Sequence, residues 1–461
     1  MRHPYPDYRD SGVEWLDDIP AHWELRSLRR MGSFFKGGGG TKEDEVENGI
    51  PCVRYGDLYT QHEFLIRNTR ASIGPENVGR YRHLEYGDVL FAGSGETIEE
   101  IGKSAVSLID GDAYCGGDVI VFRPSVEADA AFLGYTTDCR AAAYQKACMG
   151  RGVTVMHIYA SELKHLLVPL PPVDEQRAIA QFLDCETTKI DELAAKKRLL
   201  LERLAEYRTA LITRTATRGL PPEAARAAGL DPSPPFKPSG VDWLGEIPGH
   251  WDARPFRRVL HEPLKYGANE AAQLDDPSLI RFIRITDIDD AGRLRDDTFR
   301  SLPFDIAEPY LLQDGDLLFA RSGSVGRTFL YDESWGPCAY AGYLVRARVD
   351  CAQVLPKFVS YFSLSHSYTS WIRTEAIQAT IENVSAERYS RMPIPLPPLG
   401  EQRSIAEFLD QQTERIDALR ERVETAIERL MEYRTALVTA AVTGKIDVRD
   451  PVTAMAESVR A

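Results

Sequence analysis

The chain repeats itself at long range. SGVEWLDDIPAHWELRSLRRM begins at Ser11 and returns as SGVDWLGEIPGHWDARPFRRV at Ser239, 228 positions later. YGDVLFAGSG, which contains Gly87, returns at the same offset as DGDLLFARSG, which contains Gly315. PLPPVDEQRAIAQFLDCETTKIDEL at Pro169 returns as PLPPLGEQRSIAEFLDQQTERIDAL at Pro395, and EYRTALIT at Glu206 as EYRTALVT at Glu432, both offset by 226. Each half therefore runs in one order: a Trp-containing block, a variable region, a Pro-rich strand, a long helix. The variable regions, about 25–165 and 253–391, match only at scattered points. Solenoids need at least three short units, so two long copies point to a pseudo-dimer within one chain. Such a chain suits a two-part partner, as dimeric DNA binders suit two half-sites.

No Gly or Pro interrupts the stretch from Asp174 to about Thr213. One heptad series there is Leu183, Ile190, Lys197, Leu204, Leu211, and a second is Ile179, Glu186, Leu193, Leu200, Tyr207. The second copy gives Leu409, Ile416, Val423, Leu430, Leu437 and Ile405, Gln412, Leu419, Ala426, Tyr433. The spacing predicts two helices of about 40 residues, roughly 60 Å each, that pair along a coiled-coil seam. Pairing is expected through Leu183, Ile190, Leu193, Leu200 and Leu204 on one helix and Leu409, Ile416, Leu419, Leu430 and Leu437 on the other. A shared rod with pseudo-two-fold symmetry requires the helices to be antiparallel, and this would hold two globular regions apart. The expected fold is α+β: an internal repeat of two α/β regions joined by two long antiparallel helices. The expected boundaries are 1–24 (first repeat block), 25–172 (first variable domain), 173–218 (helix), 219–252 (linker and second block), 253–398 (second variable domain), 399–443 (helix) and 444–461 (tail).

Both variable regions read as short strands and turns. GDVLFA runs into Gly93-Ser94-Gly95-Glu96-Thr97, and GDLLFA into Arg321-Ser322-Gly323. Arg and Ser on a Gly turn suit contact with a DNA groove. The same residues equally describe an ordinary turn at a strand end.

Composition narrows the classes. Net charge is −14, which argues against a protein that coats DNA without specificity and places DNA affinity partly with a partner. No apolar run is long enough to span a bilayer, and the polar N-terminus lacks a signal-peptide core, so a cytoplasmic protein is expected. Seven scattered cysteines form no CxxC pair, so neither a zinc site nor a disulfide framework is expected.

Three stretches imitate catalytic motifs. Phe35-Lys36-Gly37-Gly38-Gly39 fits F-x-G-x-G and Ser233-Pro234-Pro235-Phe236 fits the adenine-methyltransferase pattern. The glycines follow no convincing buried strand, however, and SPPF lies in a Pro- and Ala-rich linker. Gly95 to Ser104 resembles a P-loop with spacing two residues too long. A stand-alone methyltransferase and a coiled-coil adaptor that never touches nucleic acid are the competing readings.

The ordered blocks SGV(E/D)WL…IP.HW, GD(V/L)LFA.SG, PLPP..EQR.IA.FLD and EYRTAL(I/V)T, with the ending VTGKIDVR, resemble the specificity subunits of type I restriction-modification systems over essentially the whole chain. The resemblance implies a non-catalytic subunit with two target-recognition domains that read the halves of a bipartite DNA site. It implies two modification subunits and two restriction subunits as partners. S-adenosylmethionine, ATP and Mg would be used by those subunits, and no cofactor is expected on this chain. By position it implicates Ser94, Thr97, Lys103, Thr154 and His157 in the first half and Arg321, Ser322, Arg327, Thr380 and Asn383 in the second. His157 stands where the second copy has Asn383, which fits halves that read different bases. Arg54 and Arg284 occupy matching strand positions, where a structural role is equally plausible. Alone, the chain is expected to show no methyltransferase, nuclease or ATPase activity. Methyl transfer by the isolated chain that is lost on changing Ser233–Phe236 would contradict this.

Overall fold

The computed structural model describes residues 4–152, 155–375 and 383–449. The chain divides into two units, residues 1–197 with 425–461, and residues 198–424. The two divisions fall inside the long helices α1 (Val173–Arg218) and α2 (Leu399–Val442).

In the first unit a five-stranded sheet runs in the order Gly32–Lys36, Val119–Pro124, Val89–Ala92, Ser104–Ser107, Phe64–Ile66. All neighbours are antiparallel except the last pair. The period-two alternation of a strand explains why VLFA is apolar throughout. Val89 and Phe91 enter the core that contains Phe132 and Tyr135 of the helix Ala130–Asp138, whereas Leu90 and Ala92 enter a second core on the opposite face. A Cβ on Gly134 would lie 2.4 Å from the Phe64 carbonyl oxygen, so only glycine lets this helix approach the strand so closely. A four-stranded sheet, Ala71–Ile73, Glu45–Val53, Ala113–Cys115, Arg82–Leu84, completes the unit.

The second unit repeats the plan. Its main sheet is antiparallel, in the order Lys265–Tyr266, Leu344–Ala347, Leu317–Ala320, Thr328–Leu330. Leu317 and Phe319 face one core, Leu318 and Ala320 another. A three-stranded sheet, Ser301–Leu302, Ile280–Ile283, Cys338–Tyr340, lies beside it in the chain.

The repeated blocks tie each variable region to a long helix. In the first unit the Trp23 indole N–H donates to Glu175 Oε1 at 3.1 Å, and His22 Nε2 lies 2.9 Å from Oε2. The Gln176 amide donates to the Pro171 carbonyl and accepts from the Asp129 N–H. In the second unit His250 lies 2.8 Å from Glu401, and Gln402 bonds the Pro397 carbonyl and the Leu355 N–H. The acids occupy the first helical turn, where unpaired N–H groups and the helix dipole favour negative charge. The PLPP strands Leu167–Leu170 and Pro393–Leu396 pair antiparallel with Glu24–Ser27 and Asp252–Pro255.

Within the first unit, Leu183 and Ile190 of α1 share a core with Leu437, Val438 and Ala441 of α2. Within the second, Ile212 and Ala216 of α1 share a core with Ile405 and Leu409 of α2. The start of each helix thus meets the end of the other, so the pairing is antiparallel. Equivalent ion pairs mark both: Arg434 Nε lies 2.9 Å from Asp191, and Arg208 Nε 3.5 Å from Asp417.

The first of the two heptad series lines the seam, whereas the second is buried only at Ile179 and Ile405. Leu183, Ile190, Leu409, Ile416 and Leu437 are buried and Leu204 and Leu430 half-buried, but Leu193, Leu200 and Leu419 are exposed at 44%, 41% and 44%. The second buried series on α1 is Thr187, Ala194, half-buried Leu201 and Arg208, and Thr215. On α2 it is Thr413, half-buried Arg420 and Ile427, Arg434 and Ala441. A series at +3 and one at +4 from the same first position both satisfy a heptad. In the +4 series Arg208 and Arg434 reach acids across the pair, and the small Thr187, Ala194, Thr215 and Thr413 are buried. Ile190→Ala and Ile416→Ala are each expected to destabilise the purified chain by about 2–4 kcal/mol. Leu193→Ala and Leu419→Ala should change stability by less than about 0.5 kcal/mol. Urea unfolding of the four variants checks this, and equal losses would restore the +3 seam.

Candidate nucleic-acid interface

The GD motif is the footing of the candidate loops. Gly87 and Gly315 turn the chain with φ of +88° and +82°, a region that glycine tolerates. The carboxylate that follows, Asp88 or Asp316, has no exposure to water. Arg123 Nε and Nη2 donate to Asp88 at 2.8 and 2.7 Å, and Arg348 donates to Asp316 twice at 2.8 Å. These hydrogen bonds, before any other influence, hold both guanidiniums above the usual arginine range. Each Asp also accepts the N–H three residues before it, from Glu85 or Gln313. The central strand and the loop leaving it are therefore fixed at their origin.

The loop then meets a distant segment. In the first unit Ser94 pairs antiparallel with His157, 63 residues on, and in the second Ser322 bridges Asn383, 61 residues on. These are the same two positions of the repeat. Sequence candidates that stand far apart in the chain are thus joined two by two.

Their chemistry differs. Ser94 Oγ donates to Asp118 Oδ2 at 3.0 Å and lies 3.0 Å from His157 Nδ1. One hydroxyl proton serves one acceptor, so with that proton on the carboxylate, His157 donates from Nδ1 and turns Nε2 to other partners. A nucleophilic relay needs the imidazole to take the serine proton with the carboxylate behind it; here the carboxylate contacts the serine itself. His157 stacks near Tyr159, with centroids 6.4 Å apart and planes at 19°. Tyr59 donates to the Ser94 carbonyl at 2.9 Å, and burial pushes its phenol up to about 12, so it remains a donor at neutral pH. Thr97 is exposed beside Glu96, Glu99 and Glu100. Lys103 faces inward, 3.8 Å from Asp138, an acid already held by buried Lys146 at 2.8 Å.

In the second unit Arg321 replaces Gly93. Its N–H donates to the Tyr343 carbonyl and its carbonyl accepts from the Val384 N–H. Its guanidinium carbon lies 4.7 Å from the centre of the Tyr266 ring. Ser322 is buried, and Asn383 Oδ1 is buried without a hydrogen-bond partner among the described residues. Arg327 departs from expectation: it donates to Asp290 at 3.0 and 2.6 Å and to the Ile288 carbonyl, so its charge is spent inside the unit. Thr154 and Thr380 lie outside the described residues. Arg54 and Arg284 are engaged internally, Arg54 with Glu45 and the Thr41 carbonyl, Arg284 with Asp287 and the Thr298 carbonyl.

Asp118, Tyr59 and Tyr266 are contributors that the sequence reading did not single out. Tyr266 sits in KYGA, the counterpart of the set-aside stretch FKGGG: Gly38 bridges Gly116 as Ala268 bridges Ala341. Those glycines serve packing. A Cβ on Gly38 would lie 2.3 Å from the Arg80 carbonyl oxygen, and one on Gly40 1.8 Å from the Tyr81 ring. The P-loop look-alike leads into the strand Ser104–Ser107, whereas a phosphate-cradling loop must open a helix. Among the described residues, no group of His, Cys, Asp or Glu is arranged to hold a metal ion.

The family model of the type I restriction modification DNA specificity domain matches residues 20–203 and 281–429. The specificity subunit of the Escherichia coli type I enzyme EcoBI is 23% identical over 303 residues, 64% of this chain and 61% of the relative, less than two thirds of its length. That of EcoKI, from Escherichia coli strain K12, is 21% identical over 449 residues, 93% of this chain and 90% of the relative. A solved chain from work on complex assembly and conformational transition of the type I R-M system superposes with a TM-score of 0.67 at 19% identity. It covers 93% of this chain and 99% of its own.

Proposed function

The chain belongs to the type I restriction-modification DNA specificity family, and from that premise we propose that residues 25–172 and 253–398 are two target-recognition domains, each reading one half of a split duplex DNA site. The observation that carries this is the repeated closure of one frame on two chemistries. The same ion pair, strand and bridge present Ser94, His157 and Asp118 in one unit and Arg321, Ser322 and Asn383 in the other. A frame kept twice with different groups at its mouth is what independent readout of two unlike half-sites requires.

In this reading the chain supplies recognition and its partners supply chemistry. Modification subunits bring S-adenosylmethionine to target adenines, and restriction subunits add ATP- and Mg-dependent steps. Two copies of each match the two halves of the chain. The net charge of −14 fits a subunit whose hold on phosphates is shared with those partners. No helix among the described residues is long and apolar enough to cross a membrane, which accords with work on cytoplasmic DNA.

The direct test exchanges residues 25–165 for the matching region of another family member and maps methylation across the host genome. One half of the methylated site should change and the other stay; a change in both halves, or in neither, would sink the modular reading. A second test concerns Arg327. Replacing it with Ala in the assembled complex should leave the slope of log affinity against log salt unchanged. Loss of a phosphate contact would lower that slope by about 0.9.

A further inference from the structure

Most arginines near the mouth of the second unit are neutralised. Arg284 is held by Asp287, Arg293 by Asp289, Arg295 by Asp297, Arg327 by Asp290, and Arg346 and Arg348 by Glu262 and Asp316. Among the described residues Arg281, Arg300 and Arg321 have no carboxylate within ion-pair distance; Arg281 and Arg300 donate to the Arg295 and Phe299 carbonyls, whereas the Arg321 Nε is buried with no hydrogen-bond partner among the described residues. A half-buried guanidinium is costly to leave without a partner for its remaining donors.

We propose that Arg321 reads a guanine in the half-site bound by the second unit, with Tyr266 as its positioning residue. This rests on the recognition reading above. The backbone of Arg321 is pinned on both sides, by the Tyr343 carbonyl and the Val384 N–H, so the side chain leaves from a fixed point. The Tyr266 ring, 4.7 Å from the guanidinium carbon, limits the rotation that a free arginine would lose on binding. The ring is itself fixed, since its hydroxyl accepts the Ala386 N–H at 3.1 Å. A stacked fork presents two parallel donors, which match the O6 and N7 acceptors of guanine in the major groove. A phosphate also accepts a guanidinium fork, but its loss would weaken binding alike at all sequences, whereas a base contact acts at one position. The first unit has Gly93 at this position, so the preference belongs to one half-site.

The test uses the full chain with its modification subunits, methylating a duplex library randomised across both half-sites. Wild type should select guanine at one position of the second unit's half. Arg321→Ala should lower discrimination at that position by about ten- to a hundredfold and leave the other half unchanged. Tyr266→Leu should weaken the same position, and Tyr266→Phe, which keeps the stacked ring but loses the hydrogen bond from the Ala386 N–H, should weaken it less. An unchanged site in Arg321→Ala, with wild type still methylating a two-part target, overturns the guanine assignment alone. So does uniform weakening at all positions that Arg321→Lys repairs, because that marks a phosphate contact. A wild-type complex that selects no two-part site overturns the assignment together with the recognition reading beneath it.

Discussion

A carboxylate sealed from water cannot go unpaired, and two such carboxylates organise this chain. Asp88 and Asp316 immediately precede an inner strand of each main sheet, are fully buried, and are each gripped by two donors of one arginine, Arg123 in the neighbouring strand or Arg348 just past the end of its counterpart. Removing either partner of such a pair costs about 3–5 kcal/mol, far more than the pair adds over an apolar replacement. The motif therefore persists as a unit: glycine to turn, aspartate to lock, four apolar residues to fill both faces. The loops with different polar groups grow from this common footing.

The helices repeat the principle. Glu175 and Glu401 sit at helix starts, where they answer unpaired N–H groups and receive the imidazoles of His22 and His250. The repeated Trp-containing blocks are thus clamps between a variable region and a helix. The pairs Arg434–Asp191, in the first unit, and Arg208–Asp417, in the second, place charge on equivalent positions of the repeat.

The repeat, the strand-rich variable regions and the long helices are legible because each depends on local pattern. The seam is legible only in part. Leu193 and Leu200 are more apolar than Thr187 and Ala194, yet the latter are buried, on the side where Arg208 and Arg434 reach acids of the other helix. The site is legible residue by residue and not as a site. Ser94 and His157, or Ser322 and Asn383, are brought together by tertiary pairing that no local spacing encodes. Lys103 and Arg327 illustrate the converse: a basic residue on a promising loop is satisfied by an acid, Asp138 or Asp290, that only the fold brings near. Tyr266 carries no mark in the sequence except its place in the second copy of a glycine-rich stretch.

The central claim is that one frame, built twice, offers two chemically distinct mouths to two halves of one DNA site. Photo-crosslinking tests it most directly. A photoreactive residue is placed at Ser94 or at Ser322, and the assembled complex is irradiated on its methylated target duplex. Position 94 should crosslink to bases of one half-site and position 322 to bases of the other. Crosslinks from both positions to the same half, or to no base of the target, would contradict the claim.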